Sequence, residues 1–213
     1  MKTARLLVLA AALAASGARA APLERDLGQG LAYLRVHALP ADLAATPAAG
    51  HPTVLDIRYV QGGPAEAAGL FAWLKRHASP RTPVFLLAND QTSAALLAPL
   101  YSPEAVDGLV ILGPAAPGFD PDIALTVTPE AERRGYDALE HGAAIESLVI
   151  AKTDKLRNDE AALAKARLAD AAGDDDAPPE EEKPKPPALP QIIDPVLQRA
   201  VQLDRSLLAL KRL

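Results

Sequence analysis

Between Thr53 and Leu112 the sequence passes twice from a strand-like run through a tight turn into a helix-like run and on to another strand. Thr53–Val60 is rich in β-branched and aromatic residues. Gly62-Gly63-Pro64 then breaks the run and opens a helix, with Ala67, Leu70, Phe71 and Leu74 on one face. Pro83–Ala88 is apolar almost throughout, the pattern of a strand covered on both faces. A turn at Asn89-Asp90 follows, then a helix over Thr92–Leu100 and a strand at Gly108–Leu112, while Leu31–Val36 reads as an earlier strand of the set. Strands that alternate with helices are joined by crossovers, which make neighbouring strands parallel. The expected fold class is therefore α/β, a largely parallel sheet with crossover helices, within residues 28–150.

Such a sheet needs a core. Hydrophobic residues make up 49% of the chain but aromatic ones only 4%, so the core is expected to be aliphatic. The formal net charge of −5, with no basic patch, argues against a nucleic-acid partner. Cysteine is absent, which excludes disulfides, thiol catalysis and cysteine metal sites. His37, His51, His77 and His141 share no metal-ligand spacing, and Asp174-Asp175-Asp176 lacks the glycine and spacing of a calcium loop. Neither a metal nor another cofactor is expected.

The flanks read differently. Lys2 and Arg5 precede an apolar run from Leu6 to Ala15, and Ala18-Arg19-Ala20 offers a small-x-small cleavage site, so residues 1–20 are expected to be a secretory signal peptide. The run is shorter than the roughly 20 apolar residues that span a bilayer, and no later stretch is long enough. The product is expected in the periplasm or outside the cell. Residues 151–172 are alanine-rich with interspersed charges and read as a helical extension; residues 173–190 concentrate acidic residues and proline and read as a linker. In residues 191–213, Asp194-Pro195 forms a helix start, and Val196, Ala200, Leu203, Leu207 and Leu210 recur at helical spacing. This amphipathic helix is expected to dock on the chain's own core, with a second copy of the chain as the other candidate; a membrane surface is a further alternative.

A strand ending in a double glycine that opens a helix offers backbone N–H groups to an anion or a developing oxyanion. Leu55-Asp56-Ile57-Arg58 followed by Gly62-Gly63 resembles the Leu-Asp-Leu-Arg-x-Asn-x-Gly-Gly element of the carboxy-terminal processing, or tail-specific, serine peptidases. Leu31-Ala32-Tyr33-Leu34-Arg35-Val36 is similar to that family's Gly-Tyr-Ile-Arg-Ile strand. The run from Pro83 to Thr92 is similar to its Pro-Val-x-Val-Leu-Val-Asn-x-x-Thr/Ser run, and Pro121-Asp122-Ile123 to a Pro-Asp-Ile near the end of its core. The resemblance covers about half the chain and implies a Clp-protease/crotonase-like fold. It makes Asp56, Arg58 and Asn89 structural residues and Gly62, Gly63 and Ala95 an oxyanion-like turn.

The departures bear on function. In the family the run after the asparagine continues Ser/Thr-Ala-Ser-Ala-x-Glu, its third residue the nucleophile and a later lysine the base. Here Ala94 stands at the nucleophile, no lysine lies between Lys75 and Lys152, and Phe119 aligns with the base. The resemblance therefore implies a pseudoenzyme without the serine–lysine pair: a non-catalytic module that binds or assembles with a peptide or protein. Two alternatives stand beside it. One is a serine-type hydrolase rebuilt on Ser93 with His37 or His77 as base; the other is a structural envelope protein without ligand.

Overall fold

The structure, a computed structural model, describes residues 22–44, 50–102, 106–149 and 191–212. The expected signal peptide, the 151–172 extension, the 173–190 linker and Lys152 lie outside the described residues. Six strands form one sheet in the order in which they occur along the chain: β1 (Leu23–Asp26), β2 (Ala32–Arg35), β3 (Thr53–Asp56), β4 (Val84–Leu87), β5 (Leu109–Gly113) and β6 (Ile123–Ala124). β1 pairs antiparallel with β2, and every later pairing is parallel. The chain is thus α/β with a mostly parallel sheet.

Register aligns the side chains in rows. Leu34, Leu55, Leu86 and Ile111 are successive cross-strand partners facing one side; Tyr33, Val54, Phe85 and Val110 are partners facing the other. Each crossover from β2 to β5 advances one position in the same direction, so crossovers of one hand put their helices on one face. That face carries α1 (Ala41–Ala44), α2 (Pro64–His77) and α3 (Ala94–Leu97). α4 (Pro129–Glu140), a 3-10 turn at Ile145–Leu148 and α5 (Pro195–Ala209) cover the opposite face. β4, buried at all four positions, lies between the two layers, as its apolar run predicts.

Several elements differ from the expectation. On α2 the buried face is Ala67, Leu70, Trp73 and Leu74; Phe71 is only half-buried, with the Lys75 ammonium 4.6 Å from its ring centroid. β3 ends at Asp56, four residues before Val60, because the next residues turn so that Arg58 reaches back to Asp56. α3 stops at Leu97 and continues as a 3-10 turn through Tyr101, where Pro99 lacks an N–H for the α ladder. β1, β6 and α4 have no counterpart in the sequence reading.

α5 starts where Asp194-Pro195 places it: the Asp194 side chain accepts from Val196 N and Leu197 N. The helix lies over β4 and β5 beside α4. Its buried face is Val196, Leu197, Ala200, Val201 and Asp204, whereas Leu203 and Leu207 are half-buried and Leu210 is 69% exposed. The expected leucine stripe is therefore corrected: the N-terminal half of the helix lies deepest. Gly135 of α4 makes this approach feasible, since a Cβ there would stand 3.0 Å from Asp194 Cα.

Candidate functional site

The carboxyl ends of β2 and β3 hold charged residues that are fully buried. Arg35 and Asp56 are cross-strand partners there, and Arg58 follows two residues later. A buried charge is tolerated only when paired and hydrogen-bonded, and these are, although Arg35 Nη2 is left without a hydrogen-bond partner. Arg58 Nε and Nη2 donate to Asp56 at 2.9 and 2.7 Å, while Nη1 and Nη2 donate to Asp194 at 3.2 and 2.7 Å. One planar guanidinium thus bridges two carboxylates, the fork geometry suited to bidentate pairing. Tyr33 Oη donates to Asp56 at 2.8 Å and accepts from Arg35 Nε at 2.9 Å. Burial alone would raise the Asp56 carboxyl, but the charge and hydrogen bonds of Arg58, helped by Arg35 and Tyr33, outweigh it and hold the group below the ordinary carboxylate range. Arg35 Nη1 donates to Tyr136 O at 3.0 Å and to Glu140 at 3.1 Å, and its guanidinium carbon lies 3.8 Å from the Tyr136 ring centroid. The Leu-Asp-Ile-Arg element therefore ties the N-terminus of α5 to the end of β3.

The double-glycine turn has structural duties of its own. Gly63 N donates to the Glu66 carboxylate at 2.9 Å and so is committed to the start of α2. A Cβ on Gly62 would meet Leu96 Cδ2 at 2.9 Å, so the glycine lets α3 pack against the turn. Ser93 donates its hydroxyl to Gly62 O at 2.6 Å and its N–H to Val60 O at 3.0 Å. Ala94 and Ala95 open α3; Ala94 is exposed and Ala95 half-buried. Phe119 is buried in the α1–α3 core layer. His37 lies 3.5 Å from Glu140, and His77 stacks on Trp73 with Nδ1 2.8 Å from Trp73 O. Among the described residues no hydrogen bond joins Ser93 to a histidine.

A cleft of about 470 Å³ opens elsewhere, at the carboxyl ends of β3, β4 and β5, on the side of α4. Open parallel sheets bind ligands at this edge where the strand order reverses; here the order runs without reversal, and the crevice lies where α4 meets the strand ends. Tyr59, Asn89, Asp90, Gln91, Glu132 and Arg133 supply its polar lining, and Pro114, Ala115, Ala116, Val127 and Pro129 an apolar wall. Gly62 and Gly63 do not line it. Asn89, one of the residues the sequence singles out, organises the floor: its Oδ1 accepts from Tyr59 N, Gln91 N and the Thr92 hydroxyl, and its Nδ2 donates to Glu132 Oε1 at 3.2 Å.

Tyr59 adopts φ +64, an uncommon backbone for a bulky residue, and its ring meets Tyr136 edge-on at 4.8 Å. Burial, with the nearby Glu132, pushes the Tyr59 hydroxyl up to about 12. Glu132 is 3% exposed. Burial raises its carboxyl, and Arg58 and the Asn89 hydrogen bond offset only part of that. The sequence reading missed Tyr59, Glu132, Arg133 and Tyr136. The findable signature was Thr128-Pro129, an N-cap and first-turn proline, which the structure realises with Ala131 N donating to the Thr128 hydroxyl.

Among the described residues no group of three or more histidine or acidic side chains could hold a metal ion, and no helix is long and apolar enough to cross a membrane. Comparison with protein-family models, with curated proteins and with solved structures finds no match. The class this fold and cleft define is that of an α/β domain with a crevice at the carboxyl edge of a parallel sheet.

Proposed function

We propose that the chain is an exported, non-catalytic binding module whose strand-end cleft takes a peptide or a segment of another protein. In this reading its core is a degenerate relative of the tail-specific peptidases with a Clp-protease/crotonase-like fold. The parallel strands, added one after another in chain order, support that finer assignment. The observation that carries the function is the cleft itself: an apolar wall facing a strip of hydrogen-bonding groups on Asn89, Gln91 and Glu132, the composition of a pocket that orients a ligand. Against the hydrolase alternative stand an exposed methyl at Ala94, a core side chain at Phe119 and a Ser93 hydroxyl donated to a carbonyl.

Two measurements on the chain starting at Ala21 test the proposal. Short unlabelled peptides are expected to shift the amide resonances of Tyr59, Asn89, Gln91 and Ala115, and a fluorophosphonate probe is expected to leave the protein unlabelled. The absence of shifts with every peptide, or labelling that disappears in Ser93→Ala, overturns it.

A further inference from the structure

Glu132 carries a buried carboxylate that has no cationic partner among the described residues, whereas Asp90, the other carboxylate of the cleft, is exposed to solvent. Glu132 sits in the first turn of α4, nearly inaccessible, and lines the cleft. Asn89 Nδ2 serves its Oε1; no ion pair with Glu132 forms among the described residues. The nearby guanidinium groups have carboxylate partners of their own. Arg58, behind the cleft, is held between Asp56 and Asp194, and Arg35 by Tyr33, Tyr136 and Glu140. Arg133, the next residue along the helix, donates its Nε to both Asp137 oxygens at 2.8 and 2.9 Å.

Resting on the reading of the cleft as a peptide site, we propose that it selects a segment carrying a primary ammonium or guanidinium group, a lysine or arginine side chain, with Glu132 as the counter-charge. A buried carboxylate without a cation is costly, and a ligand cation removes that cost while leaving the Asn89 bond in place. The Tyr59 ring adds a π face beside the site that already carries the Arg133 guanidinium at 4.8 Å.

Binding is coupled to a proton. Glu132 faces Arg58, which favours its charge, and Asp194 and Asp56, which oppose it; Asn89 donates to it, and burial raises its carboxyl overall. The empty site therefore holds its proton to higher pH than an ordinary glutamate, and a cation displaces it. Affinity for a cationic segment should rise with pH up to the raised Glu132 value and then level off.

The test uses the chain from Ala21, titrated by NMR with a blocked Ala-Ala-Lys-Ala-Ala peptide and the same peptide acetylated on the lysine. The lysine peptide is expected to shift Tyr59, Asn89 and Gln91, and acetylation to weaken it about tenfold or more. Glu132→Gln keeps the acceptor for Asn89 and should bring the lysine peptide down to the affinity of the acetylated one. Equal binding of the two peptides by the unaltered protein overturns the cation preference and leaves the peptide cleft standing. No shift with either peptide overturns both. The unaltered protein alone decides the preference, so a Glu132→Gln chain that failed to fold would not protect the proposal.

Discussion

Asp194 performs two tasks with one carboxylate, and removing it should cost more than either task alone suggests. Its Oδ1 accepts from the first N–H groups of α5, and both oxygens accept from Arg58. Loss of an N-cap costs about 0.5–2 kcal/mol. Removing one partner of a buried ion pair costs about 3–5 kcal/mol, and less where a second carboxylate remains, as Asp56 does for Arg58. The two share atoms and do not add in full, so Asp194→Ala is expected to lose about 3–5 kcal/mol. For a chain of this size each kcal/mol moves the melting temperature by about 2–4 °C, which gives a fall of about 6–20 °C. Asp194→Asn, which retains an acceptor for the cap but not the charge, should recover only about 1 kcal/mol of that. The assay is urea and thermal unfolding of the single variants, Arg58→Met and the double variant. In the double variant the loss should be below the summed single losses, because Arg58→Met alone strands Asp194 as well as Asp56, and the double removes Asp194 from that pair of buried charges. Strict additivity, or a loss under about 1 kcal/mol for Asp194→Ala, would refute the view that this pair anchors the helix.

Two further predictions concern buried carboxyls of opposite sign. Asp56, held below the ordinary range, contributes stability above its unfolded value and loses it as pH falls through the depressed folded value. The stability gap between the native protein and Asp56→Asn, followed by urea midpoints from neutral to acid pH, should therefore persist at neutral pH and close only in strong acid. Asp204 on α5 is 1% exposed, its Oδ1 has no hydrogen-bond partner, and burial raises its carboxyl despite Arg205. Asp204→Ala should stabilise by about 1–3 kcal/mol at neutral pH, a gain that shrinks as pH falls toward the ordinary carboxylate value; a destabilised variant at neutral pH would show an unseen partner for the group.

The parts of the fold legible in the sequence are those whose physics is local. β2 to β5 show as apolar runs because a parallel strand buried on two faces has little room for polar residues. α2 and α5 show through Gly62-Gly63-Pro64 and Asp194-Pro195, where turn and cap chemistry is written in adjacent residues. β1 was hidden because Glu24, Arg25 and Asp26 are exposed along an edge, where charge is the usual protection against stray pairing. α4 was hidden by its acidic and basic residues, though only Gly135, Tyr136, Ala138, Leu139 and the polar Glu132 needed to be buried. At the site, Asp56, Arg58 and Asn89 stood out, but their duties did not. Asp194 lies 136 residues from Arg58, and no local pattern records so distant a pair. Glu132 reads as an ordinary helix-surface acid until the fold turns it inward beneath Asn89.

Because sheet order equals chain order, a polypeptide emerging from its N-terminal end can add each strand to a free edge, without any strand having to insert between two already paired. Closing the other layer cannot proceed in this stepwise way. Tyr33, Val54 and Phe85 face the side that Val196, Leu197, Ala200 and Val201 cover, so that layer is incomplete until α5 has been made. A chain ending at Pro190 is thus expected to pair its strands yet present an apolar face to water, binding a hydrophobic dye and aggregating where the full chain does neither. For this molecule the arrival of α5 is the moment at which the sheet becomes safe from its neighbours.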